Sequence, residues 1–152
     1  ALNCVAKQPE ILLRKKAPII ITPHPGEMSR LTGLATPLVN AERERVALDF
    51  AQKYGVVTVL KGAGTVIASP NGKVLVNPTG NSGMATGGSG DVLAGMTASI
   101  LAQGASPFSS AAAAVYLHGL AGDIAAEKYG KISMLPTDLI NCIPLAYKRC
   151  GF

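Results

Sequence analysis

Between Gly80 and Asp91 the chain places five glycines and four hydroxyl or amide side chains ahead of a carboxylate that opens an apolar helix. Glycines let backbone N–H groups approach an anion closely, and a helix start adds roughly half a positive charge. A carboxylate beside such a cradle is placed to take a proton as a phosphoryl group arrives. Gly87, Gly88, Ser89, Gly90 and Asp91 are therefore the candidate catalytic residues, and the chemistry they suggest is phosphoryl transfer. The bland alternative for Asp91 is compensation of the helix dipole, worth ~0.3–1 kcal/mol. A turn that needs only a cap does not also need Gly87, Gly88 and Gly90. The familiar phosphate motifs do not fit: Gly88 is followed by Ser89 where a P-loop has lysine, and Gly88-Ser89-Gly90-Asp91-Val92-Leu93 lacks the third glycine of the dinucleotide fingerprint.

Two further stretches follow apolar runs. Pro23-His24-Pro25-Gly26-Glu27 sits where a strand ends, and its prolines limit the freedom of His24. His24 could be a turn histidine without a role, and Glu27 could simply favour the next helix start. Lys61-Gly62-Ala63-Gly64-Thr65 also follows a strand; its backbone could lie against a base or sugar while Lys61 meets a phosphate. His118 lies on an apolar helix and reads as a satisfied core histidine.

The elements that must position these residues are legible as periodicity. Residues 18–22 and 56–60 read as buried strands, and Glu27, Met28, Leu31 and Leu34 as a short helix stopped near Gly33. Asn40 reads as the cap of a helix running to Tyr54 and ended by Gly55. Residues 65–68 and 73–76 flank Ser69-Pro70-Asn71-Gly72 and predict a hairpin with an Asn-Gly turn. Helices are expected from about 88 to 103, with Val92, Leu93, Met96, Ile100 and Leu101 on the apolar side and Ala94, Gly95 and Ala98 packed close to a neighbour. Two more are expected over 107–129 and 137–149, the last kinked at Pro144. Strands alternating with helices predict an α/β layered fold, a mostly parallel sheet covered on both faces. Two strands and a hairpin are few for a complete sheet of that kind.

Only 15% of the 152 residues are charged against a typical quarter, so surface hidden by a partner or a further part of the domain is expected. The net charge of +5 is dispersed, Arg14-Lys15-Lys16 being the one run and reading as a solvated helix end. With few aromatic residues, a nucleic-acid partner is not expected. Cys4, Cys142 and Cys150 form no CxxC pair and read as reduced, buried thiols of a cytoplasmic protein. No apolar run reaches membrane-spanning length and no signal-peptide pattern is present.

In this order, Thr22-Pro23-His24-Pro25-Gly26-Glu27, Lys61-Gly62-Ala63-Gly64-Thr65 and Gly80 to Asp91 resemble the NAD(P)H-hydrate dehydratase family, a branch of the ribokinase-like fold. The resemblance runs over essentially the whole chain. It implies a lyase that restores hydrated NADH and NADPH, with ADP or ATP as phosphoryl donor: the ring hydroxyl is phosphorylated, then phosphate is eliminated. It implies that Asp91 is the base and that the amides of Gly87 to Gly90 form the anion hole. Lys61, Gly62, Ala63, Gly64, Thr65, Asn81 and Gly90 would contact the adenosine nucleotide, and His24 and Asp91 the hydrated dinucleotide. Mg2+ is expected on the nucleotide's phosphates, with no clear side-chain ligand here.

Members of that family carry roughly a further half of the domain before the point matching Ala1. Residues 1–152 are therefore expected to be the C-terminal part of a single domain, inactive or poorly soluble alone, with an epimerase fused or separate and a homo-oligomeric assembly. Two other readings stay open: a vitamin-precursor kinase of the same fold, which would release a phosphate ester, and a nucleotide-binding remnant without catalysis.

Overall fold

Two apolar runs of the first half become neighbouring strands. In the computed structural model, which describes residues 1–152, β1 (Ile20–Ile21) pairs in parallel with β2 (Val57–Leu60), Ile20 opposite Val57 and Ile21 opposite Thr58. The predicted hairpin adds β3 (Val66–Ala68) and β4 (Val74–Val76), giving a four-stranded sheet in the order β1-β2-β3-β4. Both of the added pairs are antiparallel, so the parallel component rests on β1 and β2. Every residue of β2 is buried, Thr58 included, as in a strand covered on both sides. The hairpin turn differs from the expected Asn-Gly type. Gly72 N–H donates to Ser69 O (3.1 Å), which places Pro70 and Asn71 at its centre and Gly72 after them at φ 92°. Proline fixes φ for the first central position of a type I turn, and only the glycine takes the positive φ.

Chain contacts separate two compact units, residues 1–76 and 77–152. The first holds the sheet with α1 (Leu2–Val5), a 3-10 helix (Pro9–Arg14), α2 (Pro25–Thr32), α3 (Thr36–Ala41) and α4 (Arg43–Tyr54). Met28, Leu31, Val39, Val46, Phe50 and Tyr54 from these helices bury one sheet face, marked by Ile21, Leu60, Val66 and Ala68. Gly33 and Gly55 end α2 and α4 as expected. Asn40 does not cap α4: it lies inside α3, because Pro37 starts a helix one turn earlier, and Glu42 takes the cap position. Arg14 and Lys16 are exposed at the end of the 3-10 helix, as expected of a solvated helix end, and Lys15 alone turns inward. Its Nζ donates to Tyr54 O (2.8 Å), where the last carbonyls of α4 lack helical donors.

The second unit is helical: a 3-10 turn (Ser82–Met84), then α5 (Ser89–Ala102), α6 (Pro107–Tyr129) and α7 (Pro136–Arg149), with Pro144 inside α7. The buried stripe of α5 is Ser89, Leu93, Met96 and Thr97, at helical spacing; Val92, Ile100 and Leu101 are half-buried. Ala94, Gly95 and Ala98 are exposed, so the close packing expected of them is not made. Among the cysteines only Cys142 is buried; Cys4 and Cys150 are exposed thiols. No helix is long and apolar enough to cross a membrane.

Candidate active site

The candidate residues fall in both units, and their geometry is set within each. In the first, parallel pairing brings the carboxyl ends of β1 and β2 to the same end of the sheet. There Lys61 N–H donates to Pro23 O (2.8 Å), which fastens the His24 turn to the Lys61 loop. His24 is the N-cap of α2: its Nδ1 accepts from the N–H of Gly26 (3.1 Å) and of Glu27 (3.3 Å). Glu27 Oε2 accepts from the His24 N–H in return (2.9 Å). Glu27 therefore does serve the helix start, in a reciprocal cap that satisfies backbone donors from both sides. Because Nδ1 accepts, the hydrogen of the neutral ring sits on Nε2, and the side chain is 51% exposed.

The Lys61 loop is closed from within and clamped from without. Thr65 Oγ1 donates to Gly62 O (3.0 Å). From the start of α4, Arg43 Nη2 donates to Leu60 O (2.9 Å) and to Gly64 O (3.4 Å). Partial burial pushes the Arg43 pKa below its ordinary value by desolvation. Ala63 and Gly64 border a hollow of about 430 Å³ together with Arg43, Arg45, Val66 and Val76. A second hollow of this unit, between Pro9, Leu31, Phe50 and Tyr54, contains none of the candidate residues.

In the second unit the glycine loop ends at Gly88, whose φ of 99° turns the chain into α5. That conformation strains any residue with a Cβ. The amides of Gly87, Gly88 and Gly90 have no acceptor in the protein, while Ser89 N–H makes a long bond to Thr86 O (3.4 Å) and Asp91 N–H donates to Gly88 O (3.0 Å). Three of the four expected anion-hole donors are thus available. The Asp91 carboxylate, on the first turn of α5, is exposed and makes no hydrogen bond or ion pair. Ser89 Oγ is buried without a partner, so its hydroxyl does not face the exposed loop. Asn81 is engaged inside the loop: its Nδ2 donates to Gly122 O (3.0 Å) and Asp123 Oδ1 (2.9 Å), and its Oδ1 accepts from Gly83 N–H (3.0 Å).

Sequence reasoning passed over Arg43 and Asp123, whose partners are distant in the chain. A signal for the second was present: Gly119 and Gly122 stand mid-helix, where each costs about 1 kcal/mol against alanine unless a neighbour must come close. His118 is a buried, bonded histidine as expected, but its Nε2 lies 2.9 Å from Ser89 O, inside the candidate loop.

A model of the NAD(P)H-hydrate dehydratase family matches residues 1–145. The chain belongs to the NAD(P)H-hydrate dehydratase family. It is 46% identical over 149 residues to the bifunctional NAD(P)H-hydrate repair enzyme Nnr of Moorella thermoacetica, covering 98% of this chain and 28% of that protein. It is 38% identical over 136 residues to the ADP-dependent (S)-NAD(P)H-hydrate dehydratase of Bacillus subtilis, covering 90% and 49%. A crystal structure of the ADP/ATP-dependent NAD(P)H-hydrate dehydratase of Bacillus subtilis, co-crystallised with ATP and Mg2+, superposes with a TM-score of 0.84 at 39% identity, covering 87% and 48%. A ribokinase-like superfamily protein of Enterococcus faecalis superposes at 0.78 with 32% identity, covering 97% and 50%. The fold of this dehydratase-family chain is therefore ribokinase-like, and the chain spans between about a quarter and a half of the length of the relatives it matches.

Proposed function

We propose that the protein containing this chain converts hydrated NADH and NADPH to NADH and NADPH, with ADP or ATP as phosphoryl donor. The observation that carries this reading is the entry into α5, where the free amides of Gly87, Gly88 and Gly90 adjoin the free carboxylate of Asp91. In the first half-reaction Asp91 removes the proton of the ring hydroxyl as its oxygen bonds to the terminal phosphorus. The bond from that phosphorus to the nucleotide breaks, and the nucleotide departs one phosphate shorter. The glycine amides stabilise charge on the moving phosphoryl oxygens; one such donor is worth ~2.7–4 kcal/mol of barrier. In the second half the ring C–O bond breaks, phosphate leaves with its electrons, and loss of a proton from the adjacent carbon restores the double bond.

Lys61, Gly62, Ala63, Gly64 and Thr65 are assigned to the adenosine nucleotide, with Gly90 and the Asn81 backbone. His24 Nε2 and Asp91 are assigned to the hydrated dinucleotide. No group of three or more His, Cys, Asp or Glu side chains could hold a metal ion. Mg2+ is assigned to the phosphate oxygens of the nucleotide and to water, where it would neutralise phosphate charge.

We propose further that residues 1–152 form the C-terminal part of one ribokinase-like domain. Coverage of about half of the single-activity relatives and the unpaired outer edge of β1 support this. Exposed Ile132, Leu135 and Phe152 support a homo-oligomer or a further segment of the same protein as their cover. The cytoplasm, where these nucleotides circulate, is the proposed compartment, and an epimerase, fused or separate, the proposed companion. The test is to incubate the full-length protein with hydrated NADH and either ADP or ATP and follow recovery of reduced-cofactor absorbance. Free phosphate with restored cofactor is the expected product. A stable phosphate ester would make the protein a kinase, and nucleotide binding without turnover would make it a sensor.

A further inference from the structure

Between Ala111 and Ala126, helix α6 is apolar or glycine except for Tyr116, His118 and Asp123. His118 and Asp123 reach the glycine loop at its opposite ends. At the far end His118 Nε2 lies 2.9 Å from Ser89 O; a carbonyl oxygen only accepts, so Nε2 carries the hydrogen. At the near end Asp123 uses both oxygens. Oδ2 accepts from Gly80 N–H and Oδ1 from Asn81 Nδ2, each at 2.9 Å.

The loop also lies directly on the backbone of α6. Thr79 Oγ1 donates to Tyr116 O (2.9 Å) and Asn81 Nδ2 to Gly122 O (3.0 Å). A Cβ on Gly119 would stand 2.7 Å from the Thr79 carbonyl carbon, so the glycine there admits the loop.

We infer that His118 and Asp123 are positioning residues that clamp the two ends of the glycine loop, holding the amides of Gly87, Gly88 and Gly90 and the Asp91 carboxylate in their reacting arrangement before substrate arrives. This rests on the reading of that loop as the phosphoryl site. A glycine-rich segment has the most backbone freedom to lose, so an anion hole built from it gains most from being fixed beforehand. The ends have separate clamps and can be released separately.

The test compares wild type, His118→Leu, His118→Gln and Asp123→Ala in the full-length protein. Peptide-resolved amide hydrogen exchange over residues 79–91 is read together with kcat and KM for hydrated NADH. His118→Leu is expected to speed exchange about tenfold or more at Ser89 and Asp91, the hydrogen-bonded amides of the far end, while leaving 79–83 nearly unchanged. Asp123→Ala is expected to do the reverse. His118→Leu should lower kcat ~10–100-fold with KM little changed, and His118→Gln, which keeps an N–H donor, should recover most of both readouts.

Exchange that rises evenly through α5, α6 and α7, with kcat per folded molecule unchanged, would reduce His118 to a space-filling role and overturn the clamp. Exchange unaltered at both ends would overturn it too. Should His118→Leu not fold, the Asp123→Ala pattern decides alone, since its effect must be confined to the near end. A wild type without dehydratase turnover would refute the proposed reaction, whereas the exchange pattern still decides the clamp.

Discussion

The two glycine loops solve the same problem by different means. The Lys61 loop is held by one long side chain, Arg43, whose guanidinium reaches back to Leu60 O and Gly64 O. The Gly80–Asp91 loop is held by a helix surface, with side chains at its ends and the backbone of α6 pressed against Thr79 and Asn81. A cation on a flexible stem tolerates adjustment, which suits the loop proposed to bind the nucleotide. Contact with a packed helix tolerates little, which suits donors that must be fixed when charge develops. The first loop should therefore respond to mutation in affinity and the second in rate.

The largest expected effect tests the second loop directly. Asp91→Asn should lower kcat by ~10²–10⁴-fold. Its thermal midpoint should hardly move, because the carboxylate is exposed and unbonded. A variant that kept near-native turnover would return Asp91 to dipole compensation.

Next in size is Gly119→Ala, whose new methyl meets Thr79 Oγ1 and, at 2.7 and 2.8 Å, the Thr79 backbone carbonyl. Backbone cannot step aside cheaply, so a loss of about 1–3 kcal/mol in denaturant unfolding is expected, with a fall in kcat from the displaced loop. A stability equal to wild type would mean that the loop does not depend on this contact.

Arg43→Ala should raise the dissociation constant for ADP about tenfold, since it removes charge-assisted bonds to two carbonyls of the first loop. Titration calorimetry measures this. If kcat falls while nucleotide affinity stays constant, the assignment of the two loops to affinity and rate is wrong.

The smallest effect is predicted for Gly122→Ala. The three atoms nearest its methyl all belong to the Met84 side chain, and a flexible thioether can swing away. The gain of about 1 kcal/mol in helix propensity then offsets the repacking. Unfolding curves for the two glycine variants side by side would show whether the constraint on α6 is backbone or side chain.

How much of this the sequence disclosed depends on how local the cause is. Gly33 and Gly55 were readable as helix ends, and residues 56–60 as a buried strand, because neighbours in the chain decide them. Asn40 misled because asparagine suits a helix cap in general, while the start was set by Pro37 three residues earlier. The Asn71-Gly72 pair misled for the same reason: Pro70 fixed the turn before it. At the site, the glycine spacing announced the Gly80–Asp91 loop. What holds that loop was hidden, since Asp123 meets Gly80 across 43 positions. Within an alanine-rich helix, Gly119 and Gly122 blend into the apolar periodicity and reveal themselves only as departures from helix propensity.

The cap formed by His24 has an effect on recognition. With one ring nitrogen turned inward to hold the first turn of α2, the imidazole can lend a hydrogen but cannot receive one. A group that bonds to Nε2 itself must bring a lone pair, as a carboxamide oxygen or a ribose hydroxyl does. Glu27 Oε2 stands 3.5 Å from that same nitrogen, so a ligand proposed to dock at this turn would meet a donor and an acceptor side by side.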